Sequence, residues 1–369
     1  MILAFADDFS GAAEVAGVAY RHGLETGIAS GFEIPECRDF VAMDMATRSM
    51  TELEAEATVR EYGKLAAKLS TTLLYKKTDS VLRGHLKVEL SAMLTATGRE
   101  TCLLIPANPA RNRTIVKGIY RIKDTPLVET EFARDPTFPI SSSFVTELVR
   151  GATSLSLDCS LPKSGLFIGD AVVEGDLDHW AEKATPDTLP AGASPFLGAL
   201  LRAQGKQTLV RKEPKDMRQR KIFLVCGTQS DSARKLTESL RAYGRPVFET
   251  SDFSMEKLPR LIAQSLNQHQ VTVLRHPLES NDSPKELTKT IASLTQKVLE
   301  LHEGTSPHIC LEGGETAAAT LELLGERRFV VLHEWDPGVV TLVSKSDFRV
   351  TVKPGSYTWP DKVLGVKEG

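Results

Sequence analysis

The sequence predicts an α/β protein of two domains, each built on a mainly parallel sheet flanked by helices. Short apolar runs alternate with helical patterns through most of the chain, and this βαβα order is typical of doubly wound sheets. A length of 369 residues, with 41% hydrophobic residues, suffices for two cores of ordinary size. We therefore expect domains over residues 1–210 and 221–369.

The first domain opens with the apolar run MILAFA, which predicts a strand that leads into a helix ending at Gly23. A later helix carries Thr51 and Glu54 at the spacing of a capping box, and another ends at Gly98. In chain order we predict strands over residues 1–6, 40–43, 71–76 and 101–107, and helices over residues 12–23, 51–69 and 85–98.

The second domain repeats the alternation and then ends in consecutive strands. We predict strands over residues 221–227, 271–276, 308–314, 328–334, 338–343 and 348–355, and helices over residues 230–244, 284–302 and 315–325. Between the domains, TPDTLPAGASP (185–195) and RKEPKDMRQRK (211–221) carry the Pro, Gly and charge clusters of connecting segments. The boundary is expected near residues 211–220.

The charge balance argues against a nucleic-acid or anionic-membrane partner, since 45 Lys and Arg stand against 48 Asp and Glu. The five cysteines lie far apart and form no CxxC pair, which predicts reduced thiols. The chain shows no leader-like start and no apolar run long enough for a bilayer, so a cytoplasmic location is expected.

Polar residues follow the strands of the first domain, where ligands bind in open parallel sheets. The first strand is followed by Asp7, Asp8 and Ser10, and the second by Asp44 and Arg48. KKTDSVLRGH (76–85) and IPANPARNRT (105–114) follow the third and fourth strands. This mixture of carboxylates, guanidiniums and hydroxyls suits a small, anionic and hydroxylated ligand.

The adjacent carboxylates of Asp7 and Asp8 need an explanation, because like charges side by side cost stability. A helix N-cap accounts for one of them. The second favours a functional role, as a general base or as a ligand of a hydroxyl. We expect Asp7 to be the structural member of the pair and Asp8 the chemical one.

The stretch from Lys76 to His85 is the richest in functional groups, because Arg83 can hold a carboxylate with two parallel hydrogen bonds. Asp79 and Ser80 can exchange hydrogen bonds with ligand hydroxyls. An alternative stays open: one of these two caps the following helix, and the basic side chains are simply solvated.

Three glycine-bearing turns follow strands of the second domain and indicate a phosphate-bearing ligand, most simply a nucleotide. Their candidate residues are Gly227, Thr228 and Ser230 in the first, Gly313, Gly314, Glu315 and Thr316 in the second, and Gly355 in the third. The turn with Gly313 and Gly314 matches neither GxGxxG nor GxxxxGK[ST], so a tight strand-to-helix turn is the alternative there. The histidines show no metal-ligand spacing.

The segments ADDFSGA, KKTDSVLRG, ETEFARDPTFP, CGTQSDS, EGGETA and KPGSY occur in the order found in the four-carbon acid sugar kinases, which the chain resembles from residue 4 to about 361. The resemblance implies ATP-dependent phosphorylation of acids such as 3-oxo-tetronate, threonate or erythronate. It further implies a sugar-acid-binding N-terminal domain, a C-terminal nucleotide-binding domain, an active site in the cleft between them and a homodimer. The chain departs from the family pattern at Glu315, Asn112 and Tyr357.

The resulting hypothesis gives each candidate a role. Asp8, with Asp79 as the alternative, accepts the proton of the attacked hydroxyl, and Lys77 stabilises the transferred group. Arg83 and Arg48 hold the substrate carboxylate, and Asp7, Ser10 and Ser80 complete the substrate site. The glycine-bearing turns hold the phosphates of ATP with Mg²⁺. A Mg²⁺-dependent phosphatase and a non-catalytic sugar-acid sensor remain rival hypotheses.

Overall fold

The computed structural model describes residues 1–37, 39–135, 137–214, 220–277, 280, 282–355 and 357–365. The chain divides into two compact units, Met1–Leu209 and Val210–Gly369. No helix within the described ranges is both long and apolar enough to cross a membrane. The five cysteines, all in the described part, are free thiols as predicted.

The first unit contains one parallel sheet and one small antiparallel sheet. Its strands are β1 (Ile2–Ala6), β2 (Thr26–Ser30), β3 (Phe40–Asp44), β4 (Leu73–Lys77), β5 (Thr101–Ile105), β6 (Arg113–Val116), β7 (Ile119–Ile122), β8 (Thr125–Pro126), β9 (Thr153–Leu155), β10 (Gly165–Gly169) and β11 (Thr188–Gly192). The parallel sheet has the order β2-β3-β1-β4-β11-β5-β10-β9. Strands β6, β7 and β8 form the antiparallel sheet.

Helices cover both faces of the parallel sheet. They are α1 (Phe9–Arg21), α2 (Glu52–Ala67), α3 (Leu86–Thr97), α4 (Val145–Leu148), α5 (Glu174–Lys183) and α6 (Ser194–Ala203). Lys76 of β4 pairs with Glu89 of α3, whereas the next residue, Lys77, pairs with Glu14 of α1. Because neighbouring side chains of a strand point to opposite faces, α1 and α3 lie on opposite faces of the sheet. The predicted doubly wound arrangement is therefore confirmed for this unit.

The predicted helix ends are confirmed where local chemistry fixes them. Thr51 and Glu54 form a reciprocal capping box at the start of α2. Gly98 adopts the left-handed conformation that ends α3, with a φ of 67°. Capping depends on residues close in sequence, so the sequence alone is sufficient to predict it.

The expectation that TPDTLPAGASP connects the domains is wrong. Its residues Thr188–Gly192 form β11, a buried strand between β4 and β5. Gly192 has a φ of 146°, and a Cβ there would lie 2.0 Å from the carbonyl oxygen of Ile105. Its glycine thus permits a close approach of two strands rather than a surface turn.

The sequence analysis also missed β2 and every element between Arg113 and Ala203. These strands are short, and many depend on pairing with residues distant in sequence. One example is β10, which pairs with β5 and β9. Pairing partners of this kind leave no local periodicity in the sequence.

The second unit is built on one mixed sheet. Its strands are β12 (Ile222–Cys226), β13 (Val247–Glu249), β14 (Val271–Arg275), β15 (His308–Glu312), β16 (Arg328–Asp336), β17 (Val339–Ser344) and β18 (Arg349–Lys353). The order β13-β14-β12-β15-β18 is parallel, and β17 and β16 continue it antiparallel. The helices are α7 (Asp231–Ala242), α8 (Lys257–Gln268), α9 (Pro284–Leu301), α10 (Gly314–Leu323) and α11 (Asp361–Leu364). All predicted strands and helices of this half are present, and β13, α8 and α11 are additional.

Candidate active site

The carboxyl ends of β1, β3 and β4 meet at one edge of the first unit's sheet. Ala6, the last residue of β1, lies opposite Asp44 on one side and Lys77 on the other. Because these strand ends are in register, the segments that follow them begin side by side. They carry Asp7, Asp8, Arg48 and Asp79. The structure thus brings the predicted polar residues of three loops to one place.

Arg48 connects the two adjacent carboxylates. Its Nε and Nη2 donate to Oδ2 of Asp7 at 2.9 and 2.6 Å, and its Nη1 donates to Oδ2 of Asp8 at 2.6 Å. One guanidinium therefore offsets the repulsion that made this pair unexpected. Arg48 is itself largely buried, and burial lowers its pKa, but Asp7, Asp8 and Asp79 together raise the pKa well above its usual value.

The N-cap that accounts for one of the two carboxylates is Asp8. Oδ1 of Asp8 accepts from the backbone N–H of Gly11 at 2.7 Å, and Oδ2 accepts from the hydroxyl of Ser10 at 2.9 Å. Asp7 is the more buried of the pair, with 3% of its side chain exposed against 16% for Asp8. Oδ1 of Asp7 accepts no hydrogen bond from the described residues.

Asp79 is held by Arg83 through both carboxylate oxygens. Nε and Nη2 of Arg83 donate to Oδ2 and Oδ1 at 3.0 Å each, and Nη1 donates to Asp135 at 2.9 Å. Burial alone would raise the pKa of Asp79, but Arg83 and Arg48 outweigh it and hold that pKa far below the usual value. Asp79 is therefore ionised, and the guanidinium of Arg83 is already occupied by two carboxylates.

Lys77 is buried and pairs with Glu14 of α1, with 3.2 Å between Nζ and Oε2. Its Nζ also donates to the carbonyl of Thr78. Burial lowers the pKa of Lys77, but Glu14, Asp7 and Asp8 outweigh this effect and raise the pKa. The ammonium is therefore charged and fixed directly below the loop that carries Asp79.

Ser80 lies between Arg113, from the predicted polar loop that follows β5, and Tyr120, which sequence reasoning did not place in the site. Nη1 of Arg113 donates to the hydroxyl of Ser80, and the hydroxyl of Tyr120 donates to its carbonyl. Phe132 lies beneath both Arg83 and Arg113, with its ring centroid 5.4 and 5.7 Å from their guanidinium carbons. Phe132 and Asp135 belong to the segment ETEFARDPTFP, so its match to the family motif was the available signal.

Asp44, at the end of β3, is buried, and its hydrogen bonds do not offset the cost of burying a charged carboxylate. Burial, helped by the charges of Asp8 and Asp7, raises the pKa of Asp44 to about 7 despite a hydrogen bond from the N–H of Ala46. Asp44 therefore changes charge near neutral pH, at the rim of the cluster formed by Asp7, Asp8 and Arg48.

The second unit brings its three glycine-bearing turns to one edge in the same way. Cys226, at the end of β12, lies opposite Glu312 of β15, and Glu312 lies opposite Lys353 of β18. A Cβ at Gly227 would lie 1.8 Å from Oγ1 of Thr316, and a Cβ at Gly355 would lie 3.5 Å from Thr228. The predicted residues of the three turns are therefore neighbours, although Ser356 of KPGSY lies outside the described residues.

The N-termini of two helices begin in these turns. Ser230 is the N-cap of α7, and its hydroxyl accepts from the N–H of Ala233 at 3.3 Å. At α10, which starts at Gly314, no side chain of the described residues caps the helix, and Glu315 is exposed. The first N–H groups of α10 are thus available for an anion.

A buried ion pair lies beneath the turns. Oε2 of Glu312 is 3.4 Å from Nζ of Lys353 and accepts from Nε1 of Trp359 at 2.7 Å. Burial raises the pKa of Glu312, and the nearby Lys353 opposes this rise. The pair ties the strand ends that carry Gly313 and Gly355, a contribution that the sequence analysis missed.

Comparison with known proteins adds a family and full-length relatives. A family model described as the sugar-binding N-terminal domain matches residues 2–200. The chain is 25% identical to the D-threonate kinase of Salmonella typhimurium, over 96% of this chain and 95% of that kinase. It is 22% identical to the D-erythronate kinase of Heliobacterium modesticaldum, over 91% of this chain and 88% of that kinase. It is 23% identical to the 3-oxo-tetronate kinase of Pseudomonas fluorescens, over 99% of this chain and 96% of that kinase.

A solved structure supports the fold. The crystal structure of a Haemophilus influenzae protein, assigned to the domain of unknown function DUF1537, superposes with a TM-score of 0.71 at 19% identity. The superposition covers 98% of this chain and 99% of that one. At this identity the likeness extends to the fold alone.

Proposed function

The chain belongs to the sugar-binding N-terminal domain family, and we propose that it is an ATP-dependent kinase that phosphorylates a hydroxyl of a four-carbon sugar acid such as threonate, erythronate or 3-oxo-tetronate. The observation that carries the proposal is the alignment, over nearly the whole chain, with relatives that are named as kinases of these acids. The polar edges of the two units supply the groups that such a reaction needs.

The first unit is the proposed site of the sugar acid. Phosphoryl transfer depends on positioning and on neutralisation of charge, and it needs a group that receives the proton of the attacked hydroxyl. Asp8 suits that role better than Asp79, because the guanidinium of Arg83 binds both oxygens of Asp79 and holds its pKa far below the usual value. In Asp8 a guanidinium binds Oδ2, whereas Oδ1 accepts from a backbone N–H, that of Gly11. Asp8 is also more accessible, with 16% of its side chain exposed against 10% for Asp79.

In the proposed mechanism the hydroxyl proton passes to a carboxylate oxygen of Asp8. Arg48 fixes the orientation of that carboxylate through its hydrogen bonds to Asp8 and Asp7. The hydroxyl of Ser10 donates to the same carboxylate, and in the proposed mechanism Ser10 contacts the substrate next to Asp8. Lys77, held by Glu14, offsets negative charge on the transferred group.

The second unit is the proposed nucleotide site. Gly355 leaves a space next to Thr228 that a side chain would fill, so the backbone there can approach phosphate oxygens. Gly227 packs directly against Thr316 and so brings the first turn close to the start of α10. The start of α10 adds free N–H groups. When bound there, Mg²⁺–ATP would supply the phosphoryl group. Because no cluster of His, Cys, Asp and Glu in the described part could hold a metal ion by itself, we propose that Mg²⁺ binds with the phosphates.

Two further properties follow from the proposed reaction. An enzyme that consumes ATP and keeps five free thiols is suited to the cytoplasm. The homodimer implied by the family resemblance stays a prediction.

An ADP-release assay with a panel of four-carbon sugar acids tests the proposal. We expect Mg²⁺-dependent ADP formation with at least one acid, together with a phosphorylated acid detected by mass spectrometry. If the protein instead releases inorganic phosphate from a phosphorylated acid without ATP, it is a phosphatase. Binding of an acid without turnover would identify a sensor.

A further inference from the structure

We propose that Arg113 is the residue that binds the carboxylate of the acid substrate, in place of Arg83 or Arg48; this inference rests on the proposed function. Three guanidiniums, those of Arg48, Arg83 and Arg113, belong to the candidate site of the first unit. They differ in which of their N–H groups are already used within the protein.

The edge formed by Nε and Nη2 is one on which a guanidinium holds a carboxylate with two parallel hydrogen bonds. In Arg48 both atoms of this edge donate to Asp7. In Arg83 both donate to Asp79. Their remaining nitrogen is used as well, since Nη1 of Arg48 donates to Asp8 and Nη1 of Arg83 donates to Asp135.

Arg113 has the opposite pattern. Its Nη1 donates to the hydroxyl of Ser80, whereas its Nε and Nη2 donate to none of the described residues. No carboxylate of the described residues forms an ion pair with it, and its side chain is half-buried rather than fully solvated. The two-point edge that is occupied in Arg48 and Arg83 is therefore available in Arg113.

The position of Arg113 is fixed by its surroundings. Its backbone exchanges two hydrogen bonds with Asn108, at 2.8 and 3.0 Å, in the loop that follows β5. Its guanidinium carbon lies 5.7 Å from the centroid of Phe132, and Ser80 fixes one end of the group. A positioned guanidinium loses less conformational entropy when it binds an anion than a free side chain does.

Charge also favours Arg113 over the other two. A substrate carboxylate at Arg48 would have to displace Asp7 or lie beside Asp7 and Asp8, and at Arg83 it would compete with Asp79 and Asp135. Both positions place like charges together. At Arg113 the incoming carboxylate would form an ion pair and displace no internal one.

This assignment also changes the expected role of Ser80. Its hydroxyl oxygen accepts from Arg113, so Ser80 acts as a positioning residue for the guanidinium. Replacement by Ala would leave the charge in place and remove one of its supports. The expected effect on acid binding is therefore smaller than that of changing Arg113 itself.

Calorimetry with threonate and erythronate, without ATP, tests the inference apart from turnover, and steady-state kinetics with saturating ATP complete it. For Arg113→Gln we expect the Kd and the KM for the acid to rise on the order of 100-fold, as charge-assisted hydrogen bonds are lost. Arg113→Lys should recover only part of this loss, and Ser80→Ala should raise the KM by a smaller factor. The KM for ATP should not change.

Arg121→Gln is the matched control, because Arg121 lies on β7 of the same small sheet and its Nη1 donates to the carbonyl of Asp124, away from Ser80. It removes the same charge and should leave acid binding unchanged. Threitol, which carries a hydroxymethyl group in place of the carboxylate, should bind wild type and Arg113→Gln equally weakly.

An Arg113→Gln protein that binds threonate and erythronate as tightly as wild type would overturn the inference and leave the kinase proposal intact. Acid binding that depends on Arg113, without ADP formation, would overturn the kinase proposal instead. A wild-type protein that binds no four-carbon acid would overturn both. The melting temperature of each variant, compared with that of Arg121→Gln, separates loss of binding from loss of folding.

Discussion

The guanidinium of Arg83 binds both carboxylate oxygens of Asp79, with Nε 3.0 Å from Oδ2 and Nη2 3.0 Å from Oδ1. Backbone N–H groups of Val81 and Arg83 donate to the same carboxylate at 3.2 Å. A carboxylate held in this way is a structural anion and a poor proton acceptor. This relationship is the reason why we propose Asp8 rather than Asp79 as the proton acceptor.

Asp79→Asn should destabilise the protein by about 3 kcal/mol at pH 7, because Arg83 loses the carboxylate that holds its Nε and Nη2. Arg48 keeps Asp7 and Asp8 but loses a third negative charge 3.9 Å away. The pKa of Asp79 is lowered in the folded state, so its contribution is present above the ordinary carboxyl range and is lost as the pH falls below it. The difference in unfolding free energy between variant and wild type should therefore shrink at acidic pH. Denaturant titrations at several pH values measure it.

The exposed pair of Glu56 and Arg60 on α2 supplies the control for this experiment. Glu56→Gln should change the unfolding free energy by no more than about 0.5 kcal/mol. If Asp79→Asn lowered the unfolding free energy by as little as Glu56→Gln does, the structural role of Asp79 would be contradicted.

Asp8→Asn should lower kcat by about 100-fold or more, with little effect on the melting temperature. Asn is nearly as good an N-cap as Asp, so the hydrogen bond from Gly11 can be kept while the proton acceptor is removed. Steady-state ADP release measures the effect. Full turnover by this variant would show that another group receives the proton.

Asp44→Asn should become more stabilising, relative to wild type, as the pH rises. Burial raises the pKa of Asp44 to about 7, so between the ordinary carboxyl range and pH 7 the folded state holds a proton that the unfolded state releases. The unfolding free energy of the wild type therefore falls as the pH rises through that window. Above pH 7 the total loss from Asp44 is at most about 4 kcal/mol. Thermal melts from pH 5 to pH 8 should show the gap widening.

Asp158→Asn is the control for this pH series, because Asp158 is exposed and should give a variant whose difference from wild type stays small across the window. A constant difference between Asp44→Asn and wild type over the same range would contradict the assigned protonation.

Gly355→Ala should weaken ATP binding at least tenfold without loss of stability. Its Cβ would meet Thr228 only at ordinary contact distance, 3.5 Å, yet it would occupy space proposed for a phosphate. Thermal shift and calorimetry with Mg²⁺–ATP measure both quantities. Unchanged ATP affinity in a folded variant would remove this turn from the nucleotide site.

Gly227→Ala provides the contrast. There the added Cβ would lie 1.8 Å from Oγ1 of Thr316, so the turn must shift and the melting temperature should fall. The two variants together distinguish a glycine needed for packing from a glycine needed for a ligand.

Elements with strong local signals were predicted correctly. The capping box of Thr51 and Glu54 and the terminal Gly98 set helix ends through neighbours within four residues. By contrast, Pro190 and Gly192 suggested a connection, and they lie in the buried strand β11. Whether such a segment pairs as a strand depends on β4 and β5, more than 80 residues earlier in the chain.

The sequence by itself determined the α/β alternation, the polar loops that follow the strands and the motifs shared with four-carbon acid sugar kinases. Only the tertiary structure decided how the charges pair. Arg48 binds Asp7 and Asp8, and Arg83 binds Asp79. In Arg113 only Nη1 donates to a side chain of the described residues, so Nε and Nη2 stay available for a carboxylate. The physical reason is that hydrogen bonds between side chains depend on distance and direction, and these are set by the packing of strands distant in sequence.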